Sequence, residues 1–190
     1  LPLGNRHLRA LGHRRVGGKP LDRQLVAWAK QHVEWTLADG SAAYPDGVLM
    51  LVVDEEGRAA MTVGPYEGLA KSRLSSLLGR VDLAAREAAR TCVAPESLWL
   101  VRSGTLLWGI DQDLFPSGAA TLVEDLALTL GCRVERASGL LDDVRSRRMN
   151  FDEAFLVSDE LGVVLASDAE GPEGRRFRAS YQKLLERAGR

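Results

Sequence analysis

The sequence predicts an α+β protein in two lobes. Two pairs of strand-like apolar runs, at 48–63 and 98–108, sit among amphipathic helical stretches. Gly64 and Pro65 break the chain between them. A second series of strand and helix signals then runs on to a last amphipathic helix. The lobes are expected at 1–66 and 67–190.

The elements follow in order. Segment 6–16 is basic (Arg6, His7, Arg9, His13, Arg14, Arg15), with Leu8 and Leu11 as a thin apolar stripe. Gly17 and Gly18 end it, and Pro20 suits the start of the next helix. Over 21–37, Leu21, Leu25, Trp28, His32 and Trp35 recur at three- and four-residue steps, an amphipathic helix stopped by Asp39-Gly40. The runs 48–53 and 58–63 flank the acidic turn Asp54 to Gly57 and read as a hairpin. The first run is apolar throughout, so burial on both faces is expected.

An Ala- and Leu-rich helix is expected over 69–90, then a second hairpin of 98–101 with 105–108. Ser117 should cap a helix over 119–130, because its hydroxyl can accept an orphan amide of the first turn. Gly131 closes that helix. A short strand at 132–136, a short helix at 140–147, strands at 154–157 and 163–166, and an amphipathic helix at 175–187 complete the chain. The acidic pairs Asp142-Asp143 and Asp152-Glu153 stand where caps are needed.

Composition bounds the function. A net charge of −1 gives no global pull toward nucleic acid or an anionic membrane. No apolar run approaches transmembrane length. Two cysteines, Cys92 and Cys132, cannot form a disulfide framework and suit a reducing cytoplasm. Three histidines, two of them among arginines, show no metal-ligand spacing, so no metal site is expected. Ser117-Gly118-Ala119-Ala120 opens a helix, whose amides can face an anion, and the strand 154–157 ends at the hydroxyl of Ser158. That is the layout of a phosphate cradle.

The order of hairpin, glycine turn, helix and Asp-Glu-Ala-Phe-Leu strand over 96–166 resembles the class-IV (fold-type IV) aminotransferases, and among them aminodeoxychorismate lyase. The resemblance implies a two-lobed fold with a nearly complete second lobe and a truncated first. It also implies a homodimer, pyridoxal 5′-phosphate as cofactor and a small amino or amino-chorismate substrate. Lys71 stands where the family has its Schiff-base lysine, the catalytic residue. Ser117, Gly118, Ala119, Ala120 and Ser158 would hold the phosphate, and Glu96 is the nearest carboxylate for the pyridine nitrogen.

Several positions depart from that pattern. Ala10 stands where the family has a phosphate-binding arginine, Thr121 where it often has another, and Cys92 where counting places its glutamate. Asp159 follows Ser158, and its charge would repel a phosphate. Two functions are therefore expected as alternatives. One is a pyridoxal-phosphate aminotransferase or lyase working through Lys71. The other is a cofactor-free relative serving as a binding or assembly module.

Overall fold

The structure is a computed structural model and describes residues 1–188. The chain opens with α1 (Gly4–His13), the short pair β1 (Arg15–Val16) and β2 (Lys19–Pro20), and α2 (Arg23–Ser41). The hairpin β3 (Val48–Val53) and β4 (Ala59–Gly64) follows. Then come α3 (Leu74–Thr91), β5 (Val93–Ala94), β6 (Glu96–Arg102), β7 (Thr105–Gly109), β8 (Phe115–Pro116) and α4 (Gly118–Thr129). β9 (Arg133–Arg136), α5 (Leu140–Arg145), β10 (Glu153–Ser158), β11 (Gly162–Leu165) and α6 (Pro172–Ala188) complete it.

A five-stranded sheet in the order β11-β10-β6-β7-β9 organises the C-terminal part. Its pairs are antiparallel except β7 with β9, which are parallel. Helices cover both faces, so β10 is buried along its whole length and shows no polar alternation. Successive side chains point to opposite faces. Trp99, Trp108, Phe155 and Val157 pack against α4 and α6, while Leu98, Leu100, Ala154 and Leu156 pack against α3 and α5.

The register Trp108↔Trp99↔Phe155 lays aromatic rings in a row across three strands. Trp108 stacks on Trp99 at 4.7 Å, Trp99 on Phe155 at 6.1 Å, and Phe155 on Phe177 of α6 at 6.0 Å. Arg136 lies over Trp108, 4.6 Å from its ring centre. Both indole N–H groups donate to the buried Ser97 hydroxyl, at 3.1 and 3.0 Å. A buried indole without such an acceptor would carry a desolvation cost of about 1–3 kcal/mol.

β10 also supplies a carboxylate at each end to a helix N-terminus. Glu153, buried at its start, accepts the α6 amides of Glu173 (3.1 Å) and Gly174 (2.7 Å). Asp159, the residue after its end, reaches α4. Asp152 accepts the Ser103 amide at 2.8 Å and fixes the β6–β7 turn.

Three expectations are corrected. α2 does not stop at Asp39-Gly40 but runs on to Ser41. A Cβ on Gly40 would stand 2.4 Å from the Val63 side chain, so this glycine serves close helix–hairpin contact and not a stop. β3 is not buried on both faces: Met50 and Val52 are exposed, while Leu49 and Leu51 face inward. α3 begins at Leu74, later than expected, because Asp168 accepts the Leu74 amide at 2.7 Å and fixes the first turn there. The Ser117 cap is as read, with its hydroxyl accepting the Ala120 amide at 3.2 Å. Among the described residues, no helix is long and apolar enough to cross a membrane.

Candidate functional site

A cleft of about 630 Å³ opens between the N-terminal elements and the C-terminal sheet layer. Leu8 and Leu11 of α1, Val33 of α2, and Leu49 and Met61 of the hairpin make one wall. Val93, Asp159, Tyr181 and Leu185 belong to the other, with His7 at the polar end. The volume lies in the usual range for small-molecule pockets, about 300–1,000 Å³.

The α4 amides that the sequence reading offers to a phosphate are engaged by the protein's own anion. The Asp159 carboxylate accepts the Ala119 amide at 2.6 Å and, more loosely, the Gly118 amide at 3.4 Å. His7 Nδ1 lies 3.2 Å from Oδ2, the oxygen that also faces the Gly118 amide, while Ala119 bonds Oδ1. A Cβ on Gly118 would come within 2.7 Å of His7 Nδ1, so the absence of a side chain there lets α1 close onto the helix start. Burial alone would raise the Asp159 pKa. The His7 hydrogen bond and charge and the two amides outweigh it and hold the carboxyl below its ordinary value.

Arg6 anchors α1 next to this point, donating to Thr121 Oγ1 at 3.1 Å and pairing with Asp125 at 2.7 Å. A guanidinium thus sits beside Thr121 although the local sequence has none there. Ala10 is buried on the inner face of α1.

The other expected site residues are already engaged. Ser158 is buried; its hydroxyl donates to Glu96 Oε1 at 2.9 Å and accepts the amides of Glu160 and Leu161, both at 3.2 Å. Arg80 grips Glu96 through both nitrogens of its fork, one of them Nε at 2.9 Å. This pairing, more than the burial that opposes it, raises the Arg80 pKa. Ser117 is committed to its own helix cap. The structure therefore brings Ser117, Gly118, Ala119, Ala120, Ser158 and Glu96 to one end of the sheet.

Lys71 is at the other end. It is exposed and absent from the cleft lining. Its neighbour Ser72 accepts the Ser167 amide at 2.9 Å, beside the exit of β11, where Ala166 bonds Ala154 at the start of β10. The cradle lies beyond Ser158. Five strand residues at about 3.3 Å each separate the two places by roughly 17 Å.

Two residues at the site escaped the sequence reading. The sequence assigns no site role to His7, a member of the basic segment 6–16, or to Tyr181, which falls within the amphipathic helix expected at 175–187. Asp159 was noticed for its charge, but as a repellent and not as the occupant.

No family model and no curated protein matches the chain. Solved structures do. A hypothetical aminotransferase from Mycobacterium tuberculosis, described in a pyridoxal-phosphate-bound form, superposes with a TM-score of 0.65 at 14% identity. The match covers 97% of this chain and 84% of that one. The chain has the fold-type IV fold. Two weaker fold-type IV likenesses accompany it. A branched-chain amino acid aminotransferase assignment from Thermotoga maritima gives 0.47 at 18% identity, over 70% of this chain and 62% of its own. The branched-chain aminotransferase of Escherichia coli gives 0.39 at 20% identity, over 48% and 33%. This fold-type IV chain thus spans less than two thirds of the length of these two.

The residues present do not fit pyridoxal phosphate in the arrangement the resemblance implies. The phosphate's place on α4 holds a carboxylate, Glu96 is taken by Arg80 and Ser158, and Lys71 faces solvent outside the cleft.

Proposed function

We propose that this chain is a cofactor-free fold-type IV relative that binds a small molecule in the cleft between α1, the β3–β4 hairpin and α6. One observation carries the reading: Asp159 occupies the α4 amides that a cofactor phosphate would need. A phosphate entering there would meet a fixed negative charge and would have to displace His7 as well. The absence of Lys71 from the cleft lining supports the same reading.

The test is titration of the purified chain with pyridoxal phosphate, followed by borohydride and mass measurement. The expected result is no visible imine band and no fixed adduct. A band that borohydride bleaches, and that Lys71→Ala abolishes, overturns the reading.

A second reading is a pyridoxal-phosphate aminotransferase or aminodeoxychorismate-lyase-like enzyme acting on a small amino or amino-chorismate substrate. The pyridoxal-phosphate-bound form of the Mycobacterium tuberculosis neighbour favours it. Under either reading the lobes are proposed at 1–66 and 67–190, since the buried residues of both hydrophobic clusters come from position 77 onward. The homodimer remains part of the proposal, supported by the exposed apolar Met50 and Val52 on the outer face of β3–β4. Cytoplasmic residence is supported by two unpaired thiols, Cys92 and Cys132.

A further inference from the structure

Tyr181 is 4% exposed, yet among the described residues its hydroxyl has no hydrogen-bond partner. None of the buried side-chain nitrogen and oxygen atoms described is left without a partner. The hydroxyl therefore keeps some access to solvent, and Tyr181 is one of the residues that line the cleft. A phenol that is nearly all buried and keeps only its polar tip in a cavity is placed to bond whatever enters.

Asp159 lines the same cleft. A carboxylate offers about four lone-pair positions, and Gly118, Ala119 and His7 engage three. One acceptor position is left, on a group that stays negative. Burial first, and the Asp159 charge second, push the Tyr181 pKa up, so the phenol stays a donor. Beside His7, which faces Asp159, the polar end of the cleft thus presents one neutral donor and one anionic acceptor. The remaining wall is chiefly aliphatic, and its charged members are the Arg14–Glu87 pair (2.7 Å), Arg15 and Glu160.

We propose that the cleft takes an uncharged molecule with an apolar body and one polar end that both donates and accepts, such as a primary alcohol or a primary amide, and that its Asp159–Tyr181 end rejects anions. The acceptor atom of that end takes the Tyr181 hydroxyl, and its hydrogen goes to Asp159. A carboxylate or phosphate end has no hydrogen for Asp159 and meets its charge. An ammonium end suits Asp159 but has no lone pair for Tyr181. The inference rests on the cofactor-free reading and gives it a ligand class.

Four probes with one body and different ends test it: hydrocinnamyl alcohol, hydrocinnamamide, hydrocinnamate and phenylpropylamine. Each is titrated into the whole chain, with binding followed by ligand-observed NMR. The alcohol and amide should bind at least about tenfold more tightly than hydrocinnamate, and more tightly than the amine. Tyr181→Phe, which keeps the ring, should cost the alcohol about tenfold while the far-ultraviolet circular dichroism stays unchanged. No binding of the alcohol up to its solubility limit, equal binding of all four, tighter binding of hydrocinnamate or of the amine, or a Tyr181→Phe variant with unchanged affinity overturns the proposal. Pyridoxal phosphate titrated in parallel separates the two failures. Its uptake defeats the cofactor-free reading itself. No uptake together with a wrong probe order defeats only the ligand class.

Discussion

Asp159→Ala removes the anion that joins α4 to α1. The structure sets the size of the effect. The Ala119 bond at 2.6 Å is short and charge-assisted, the Gly118 bond at 3.4 Å is marginal, and the His7 contact at 3.2 Å is an ion pair when the ring is protonated. The Ser117 cap stays, but loss of a further side-chain acceptor for first-turn amides costs, like loss of a cap, about 1 kcal/mol. A carboxylate near the helix dipole adds about 0.3–1 kcal/mol, and the His7 bond roughly another 1 kcal/mol. The Asp159 side chain keeps 34% of its surface, so solvent screening argues for the lower part of that sum. Roughly 2 kcal/mol is expected at neutral pH.

Urea unfolding at a series of pH values is the assay. The folded-state pKa of Asp159 is lower than its unfolded value. Its contribution is therefore complete above the unfolded value and lost as pH falls through the folded one. The gap between wild type and Asp159→Ala should hold at pH 7 and narrow below about pH 4. A gap under about 0.5 kcal/mol at pH 7, within the range of ordinary surface substitutions, would refute the reasoning. So would a gap that stays constant into acid.

Other outcomes follow from the same geometry. Lys71→Ala should change stability by less than about 0.5 kcal/mol and leave probe binding in the cleft unchanged, as thermal melts and the NMR titration would show. Gly40→Ala should destabilise by about 1–3 kcal/mol, because its Cβ would stand 2.4 Å from Val63; adding Val63→Ala should recover part of the loss in urea unfolding. Glu153→Ala leaves two α6 amides without their buried acceptor and should cost about 2–4 kcal/mol, read by loss of the cooperative melt at lower temperature.

Much of the fold was legible because local rules and tertiary packing agree along the C-terminal part. The strand ending at Ser158, the Ser117 cap and the amphipathic α6 all came from period, turn residue or cap chemistry. The misreadings have local causes. Gly40 reads as a helix stop by propensity, but its meaning lies in Val63, 23 residues on, against which it packs. The run 48–53 is apolar at every position, so its sequence carries no alternation from which to tell the face left open to solvent.

The site was less legible for a similar reason. The sequence alone determined that a helix starts with small residues at Ser117 and that an apolar strand ends at Ser158, since caps, glycines and apolar runs are local properties. It could not determine what fills that place. Asp159 and Ala119 are 40 residues apart, and His7 lies more than a hundred from either. Their meeting depends on α1 closing onto α4 and on β10 delivering its next residue to the same point. Only the tertiary structure decided that Asp159, which reads in sequence as a repellent of phosphate, is itself the anion bound there.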